Sequence, residues 1–491
     1  MATETEIKLS LSARSANELA KHALLNGVAP QRQLLVNTYY ETPDNRLRNQ
    51  GVVVRHRQKG KQCLLTVKTA PELTAGLARR SEWEFPSRAG EFDFSQVDNG
   101  SIRTLLESAR SELRPVSTTR FRRDSWLLDP RTGVRIELAL DRGWIEAGGR
   151  REAVREIELE LLTGSLADLF ALVADLQASV PLHPEVLSKS ERAHRLLLAQ
   201  PLTAVKSLPV PLAAEMPSIA AFRTIVLACL GHLQSNEKGV CESEDPEFVH
   251  QARVAIRRLR SAIRLWQPLL PEEFVARFDP LWRDLGTKLG ETRNWDVFRD
   301  ETLPILGEAF PGSDLDRLAR HAVKSCANSR RDTRKALRSP EYSRLLIGFT
   351  AAVLGLTAAG AGKLGVFVPP CLKRRAKRVK ERARAAAGPD VAARHRLRVA
   401  FKQLRYAVEF FSPILSAPHL NRYLQAATAL QELLGRLNDL AVASQLISEA
   451  LPGRKGEAIV HWLAIRSESL LPEFGRLLDE FQQQRAPWKV P

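Results

Sequence analysis

Cysteine is scarce in this chain. Its 491 residues include five, Cys63, Cys229, Cys241, Cys326 and Cys371, and no two stand at C-x-x-C spacing. That scatter excludes a disulfide framework and a thiolate zinc site, and it fits a reducing cytoplasm. Long apolar runs are also missing. The longest uncharged stretch, Leu345–Gly362, is rich in Ala, Gly and Thr. It is expected as a small-residue helix buried in a helical bundle rather than as a membrane span. The opening MATETEIKLS has no apolar signal core. Aromatic residues make up only 6%. Acid is in deficit: 56 Asp+Glu face 73 Lys+Arg, for a net charge of +17. Apolar residues at 44% and charged residues at 26% are ordinary for a globular chain, which excludes extended disorder.

The excess charge points to an acidic partner: nucleic acid, an anionic membrane or a phosphate polymer. It is unevenly placed. Residues 1–205 carry 29 basic and 26 acidic side chains, so +3, whereas 206–491 carry 44 and 30, so +14. The hydrophobic periodicity changes at the same place. Period-two alternation predicts strands near 3–9, 35–40, 51–57, 62–68, 80–85, 117–128, 134–142 and 155–162. Helices are predicted over 14–25 and 165–179. Residues 203–217 hold three prolines without helical period and read as a linker. From 218 the period is 3.6. Helices are predicted over 218–235, 246–267, 272–290, 294–301, 314–336, 340–358, 366–387, 390–413, 418–434, 437–450 and 455–484. The fold class is therefore α+β. A nearly closed eight-stranded antiparallel barrel fills 1–202, and an all-α domain fills 218–488.

The strands place charge on one face. Glu4, Glu6 and Lys8 share parity, as do Arg55 and Arg57, then Glu82 and Glu84. Glu137 and Asp141 share one face of their strand, and Glu156, Glu158 and Glu160 share one face of theirs. Lys68 follows the same habit. A solvated sheet face accounts for any one strand. Six strands dense in both signs instead suit the lining of a closed barrel, where divalent metal and phosphate would neutralise the wall. Oxygen-only carboxylate clusters suit Mg²⁺ or Mn²⁺, and arginine suits phosphate.

Glu4-x-Glu6-x-Lys8 resembles the ExExK signature of the CYTH family, the triphosphate tunnel metalloenzymes. An ordered series continues the resemblance: Arg55 and Arg57 in VVVRHRQ, Lys68 in LLTVKT, Glu82 and Glu84 in RRSEWEF, Arg123 in TRFRRDSW, Asp141 in ELALDRG, Glu156 and Glu158 in REIELEL, and Lys189 in SKS. The resemblance spans about residues 1–200. It implies an eight-stranded tunnel that processes triphosphates with Mg²⁺ or Mn²⁺. Lys8, Arg55, Arg57, Lys68, Arg123 and Lys189 would then serve catalysis. Glu82 and Glu84 would belong to the substrate wall. Glu4, Glu6, Glu137, Asp141, Glu156 and Glu158 would hold metal.

The helical half contains a repeat. His250-Gln-Ala-Arg253-Val-Ala-Ile-Arg257-Arg-Leu-Arg260 returns 145 residues later as His395-Arg-Leu-Arg398-Val-Ala-Phe-Lys402-Gln-Leu-Arg405. Leu289-Gly290 returns as Leu434-Gly435. A pseudo-two-fold arrangement of two bundles is expected. His250, Arg253, Arg257, Arg260 and Arg264 follow one another at steps of three and four, which is one helix face. The second copy does the same with His395, Arg398, Lys402 and Arg405. A third basic stripe comprises Lys373, Lys377, Lys380 and Arg384. Single stripes of this kind are usually solvated faces. Duplicate stripes about a pseudo-axis suggest one shared groove instead. Neither histidine has neighbours at metal-ligand spacing. This half resembles the CHAD domain, over about 218–485. That resemblance implies inorganic polyphosphate bound along the basic groove. The second copy departs from the first, with Lys402-Gln403 replacing Arg257-Arg258.

Together the two resemblances imply a cytoplasmic inorganic triphosphatase acting on triphosphate or short polyphosphate, with a polyphosphate-binding helical domain. The tunnel is expected to work without the helical half. Two alternatives stand: a polyphosphate-binding protein targeted to polyphosphate granules with little catalysis, or a triphosphatase for an organic triphosphate. Neither a specific nucleic acid nor a membrane is expected as a partner. The basic stripes carry no interleaved aromatics of the kind that stack on bases.

Overall fold

The computed structural model describes residues 2–70, 72–74, 76–357, 362–386 and 390–488. It divides the chain into two units.

Ten antiparallel strands form the sheet of the first unit: β1 (Ala2–Ser10), β2 (Gln31–Glu41), β3 (Val52–Lys59), β4 (Gln62–Thr69), β5 (Glu72–Thr74), β6 (Leu77–Pro86), β7 (Arg114–Arg131), β8 (Val134–Ala147), β9 (Arg150–Thr163) and β10 (His183–Pro184). Their order is β10-β1-β9-β8-β7-β2-β3-β4-β6-β5, and β1 pairs additionally with β6. That second pairing closes eight strands into a barrel, each overlapping one of the eight predicted segments. β5 and β10 are short additions at its margins. Gly143 permits the β7–β8 approach: a Cβ there would lie 2.4 Å from the Cα of Phe121.

The apolar core lies outside the barrel wall, because alternate residues turn their charges inward. One core cluster joins Ile7, Leu9, Leu138, Leu140, Ile157 and Leu159 to Leu169, Phe170, Val173 and Leu176 of the helix Leu166–Ser179. A second joins Val54, Leu65, Val67, Trp83 and Phe85 to Phe94, Val97 and Leu106. The helix Gly100–Ala109 carries Leu106 and is N-capped by Asn99. That helix is not among the elements expected from the sequence pattern.

One helix falls in an unexpected place. Residues Arg338–Gly355 belong to the first unit, and their helix Pro340–Gly355 packs on the helix Leu166–Ser179 and on β10. Ile347, 2% exposed, completes the first cluster. The uncharged run is thus buried over its helical part, as expected, but against the barrel's outer helix rather than in a helical bundle. Its apolar face needs an apolar partner, and composition alone does not say which. Position 358, predicted as its last helical residue, lies outside the described residues.

The second unit is helical. Its main helices are Ser218–Glu242, Pro246–Trp266, Glu272–Val297, Leu303–Ala309, Ser313–Leu337, Leu364–Ala386, Val391–Phe411, Ala417–Ala450, Arg454–Ser469 and Leu471–Gln483. The predicted pair 418–434 and 437–450 is one continuous helix. The predicted 455–484 is two, broken before Leu471-Pro472, where proline favours a fresh helix start. The repeat corresponds to the helices Pro246–Trp266 and Val391–Phe411, which are joined by an Arg258–Glu409 ion pair of 2.8 Å. Among the described residues no helix is long and apolar enough to cross a membrane.

Candidate active site

The barrel encloses a cavity of about 810 Å³. Its wall includes Glu4, Glu6, Lys8, Arg55, Arg57, Lys68, Glu82, Glu84, Arg123, Glu137, Glu158 and Lys189. The strand registers explain the meeting. Glu6 stands opposite Glu160, Lys8 opposite Glu158, Lys68 opposite Glu82 and Arg123 opposite Asp141.

Two acidic groups form inside. In the first, Asp141, Glu156 and Glu158 bring carboxylate oxygens within 4.8 Å of one another. The ammonium of Lys189 already sits among them, 2.7 Å from Asp141, 2.9 Å from Glu158 and in contact with Glu156. Arg123 grips Asp141 with two bonds of 2.7 Å and also bonds Glu158. Arg192 holds Glu156 at 2.9 Å. Asp141 and Glu156 are fully buried and do not line the cavity. The structure thus gives these two expected metal ligands ammonium and guanidinium partners. A metal could enter this triad only by displacing Lys189. Burial alone would lower the Lys189 pKa, but Asp141, Glu156 and Glu158 raise it far above the ordinary lysine value. Burial would raise the Glu158 carboxyl, yet Lys189, Arg123 and Lys8 hold it well below the usual range.

The second group comprises Glu4, Glu6, Glu137 and Glu160. Arg80 bonds Glu4 and Glu6, each at 2.8 Å, and Lys68 lies 3.1 Å from Glu4 and 2.6 Å from Glu82. Burial opposes ionisation of Glu4, but Lys68 and Arg80 hold its pKa well below the carboxylate range. Among the described residues the side chains of Glu137 and Glu160 have no hydrogen-bond or ion-pair partner. Glu160 is pushed up to about 7, first by burial and then by Glu4, Glu137 and Glu6. Four carboxylates face only Arg80 and Lys68, and this surplus of carboxylate oxygen over counter-cations fits a divalent metal.

The basic wall is equally crowded. Arg57 reaches Glu84 at 3.3 Å, and burial with the adjacent Arg55 brings its pKa down to about 10. Arg55 lies 3.6 Å from Glu82, and burial with Arg55 and Arg80 lowers the Lys68 pKa. Glu82 and Glu84 act as counter-charges to these cations.

Sequence reasoning missed Arg80 and Glu160 as members of the site. Strand parity places both inward, since Arg80 shares a face with Glu82 and Glu160 with Glu158. It also missed the helix Lys189–Leu198, whose N-terminus closes over the acidic triad. Its signal was Ser188-x-x-Glu191, a reciprocal cap that the structure shows formed.

In the helical unit the two repeat stripes do meet. Arg253, Arg257, Arg398 and Lys402 lie close enough to repel one another, and none has a carboxylate at ion-pair distance among the described residues. Burial and then Arg257 bring Arg253 and Arg398 each down to about 10. Lys402 is pushed down to about 5 by burial, then by Arg257, Arg398 and Arg253. Asp439 attracts Arg253, Arg398 and Lys402, but more weakly than burial and the arginines oppose their charge. Arg257, Arg258 and Arg405 gather 5.6–6.0 Å from the ring of Tyr406. An aromatic therefore does sit among the stripes, but at 5% exposure it is packing rather than a stacking platform.

Other predicted members fall elsewhere. Arg260 and Arg264 turn to Asp279, at 3.0 and 3.9 Å. Arg264 also lines a separate cavity of about 760 Å³ with Arg374, Arg375 and Arg378. His250 sits half-buried near Arg293 and Arg253, and burial lowers its pKa. His395, Lys377 and Lys380 are exposed, and Lys377 reaches only its helix neighbour Glu381. The third stripe is thus a solvated face.

Family models agree with this division. The CYTH domain matches residues 2–194, and the CHAD domain matches 224–448. The chain is a CYTH domain followed by a CHAD domain. The inorganic triphosphatase of Haemophilus influenzae is 33% identical over 207 residues, which are 41% of this chain and 57% of that protein. This chain's match thus spans little more than half of that relative. The solved CHAD domain of the plant Ricinus communis is 30% identical, with a TM-score of 0.52, over 58% of this chain and 98% of its own.

Proposed function

We propose that the CYTH domain hydrolyses inorganic triphosphate or short-chain polyphosphate with Mg²⁺ or Mn²⁺, and that the CHAD domain binds polyphosphate. One observation carries the first part. A single cavity in the barrel holds a wall of cations (Arg55, Arg57, Lys68, Arg123) and a carboxylate group without enough counter-charge (Glu4, Glu6, Glu137, Glu160). The kinship to the Haemophilus enzyme supports it. Three converging arginines (Arg253, Arg257, Arg398) and Lys402, none with a carboxylate partner among the described residues, support the second part.

Arg55, Arg57 and Arg123 would hold phosphate oxygens by charge-assisted bonds and offset the repulsion within the triphosphate. Lys8 and Lys189 would keep Glu158 ionised. Glu4, Glu6, Glu137 and Glu160 would hold the divalent cation, which when bound supplies phosphate charge neutralisation and water activation.

The test is phosphate release by the purified full chain. Tripolyphosphate, long polyphosphate, ATP and thiamine triphosphate are compared with Mn²⁺, with Mg²⁺ and with chelator. Release from tripolyphosphate alone, abolished by chelator, is expected. Faster release from an organic triphosphate would replace the substrate. No release with any of them, alongside tight polyphosphate binding, would leave a binding protein.

A further inference from the structure

Arg80 stands on β6 directly opposite Glu4 of β1, on the seam where the barrel closes. Its side chain is 10% exposed. Nε donates to Glu4 Oε2 and Nη2 to Glu6 Oε1, each at 2.8 Å. Glu4 and Glu6 are successive inward carboxylates of one strand. The guanidinium therefore bridges an oxygen from each, which is also what a divalent cation shared by the pair would require. Each of the two carboxylates keeps a second oxygen, but Lys68 takes both oxygens of Glu4, at 3.1 and 3.4 Å. A cation using both Glu4 and Glu6 has to compete with this bridge. Displaced Arg80 would remain on the cavity wall, where the phosphates of an incoming substrate add negative charge to that of Glu137, Glu158 and Glu160. A planar multi-donor cation suits phosphate oxygens as well as it suits carboxylates.

We propose that Arg80 occupies the Glu4–Glu6 carboxylate pair in competition with the divalent cation and, once displaced, turns to bind a phosphate oxygen of the substrate. Metal entry and substrate capture are then linked through one side chain. This rests on the metal-dependent triphosphatase reading above. The competing possibility is a fixed strut that braces the seam and never moves.

The experiment uses the full chain with Arg80→Gln and Arg80→Lys. Mn²⁺ affinity is measured without substrate by titration calorimetry and by loss of the free Mn²⁺ electron-spin signal. KM for tripolyphosphate is measured at saturating Mn²⁺. Losing one competing charge-assisted contact should tighten Mn²⁺ binding about tenfold in Arg80→Gln and raise KM about tenfold or more. Arg80→Lys keeps the charge but loses the two-pronged bridge, so its Mn²⁺ affinity should rise while KM stays nearer wild type. Unchanged or weaker Mn²⁺ binding in both variants, with wild type active, overturns the proposal and leaves a strut. A wild-type chain that neither binds Mn²⁺ nor releases phosphate overturns the underlying functional reading as well. Should Arg80→Gln fail to fold, the Mn²⁺ affinity of Arg80→Lys decides.

Discussion

His183 Nδ1 and Ser343 Oγ share a hydrogen bond of 2.8 Å across 160 positions of sequence. Around it, Arg344 Nε donates to the backbone oxygen of Gln177 at 3.2 Å, and Ile347 enters the core beside the helix Leu166–Ser179. The segment lies inside the span that the CHAD model matches, yet it completes the CYTH unit. His183 belongs to β10, which pairs with β1, the strand of Glu4, Glu6 and Lys8. The helix thus braces the neighbour of the acidic strand.

A chain cut after residue 205 should therefore not behave as an independent domain. Without the helix Pro340–Gly355 it exposes the apolar face of Leu166–Ser179, and we expect aggregation or a lowered melting temperature. In the full chain Ile347→Ala should cost about 2–5 kcal/mol of stability in chemical denaturation. A loss below about 1 kcal/mol, within the range of a tolerated surface change, would show that the helix is not part of this core.

Glu4→Gln and Glu6→Gln should each reduce triphosphate turnover at least about a hundredfold, because a metal site loses one of few anionic oxygens. Circular dichroism should stay unchanged. Activity close to wild type at saturating Mn²⁺ in either variant would remove that residue from the site.

Lys402 makes the stability of the helical unit depend on pH. Its pKa in the fold is about 5, well below the roughly 10.4 of an unfolded lysine. Between these values the unfolded chain binds a proton that the folded chain refuses. Stability from this group is thus full above about pH 10.4, falls as pH drops toward 5, and is level below. Lys402→Met should flatten that slope in unfolding measured from pH 6 to 10. Polyphosphate binding by wild type at pH 7 should take up close to one proton, seen as a dependence of calorimetric enthalpy on buffer. An equal slope in wild type and Lys402→Met would show that the lysine keeps its charge.

Replacing Arg253, Arg257, Arg398 and Lys402 together should weaken polyphosphate binding and flatten its salt dependence. Each neutralised cation no longer releases a counterion, so the log–log slope should fall by about 3. Anisotropy titrations at several salt concentrations measure it. The triphosphatase rate should be nearly unaffected, since these residues lie in the other unit. Wild-type affinity in the quadruple variant would make the stripes solvated faces.

The sequence by itself determined that charge faces inward in the barrel, because alternation along a strand leaves only two faces and Ile7, Leu9, Ile157 and Leu159 claim the other. It determined the helical repeat and both basic stripes, because steps of three and four define a helix face locally. Tertiary structure alone decided which charges meet. Arg80 reaches Glu4 and Glu6 only because β6 pairs with β1, a closure between segments about 75 residues apart. Parity assigns Asp141 and Glu156 to the interior, but not the Lys189 ammonium that the helix Lys189–Leu198 inserts among them. Arg257 and Arg260 share a stripe, yet one faces Arg398 and Lys402 while the other pairs with Asp279, since a stripe about 21 Å long can pass more than one neighbour. Ile347 reads only as apolar, and an apolar side chain buries equally well against any apolar surface. Burial is non-directional, so the chain had to fold before its partner was chosen.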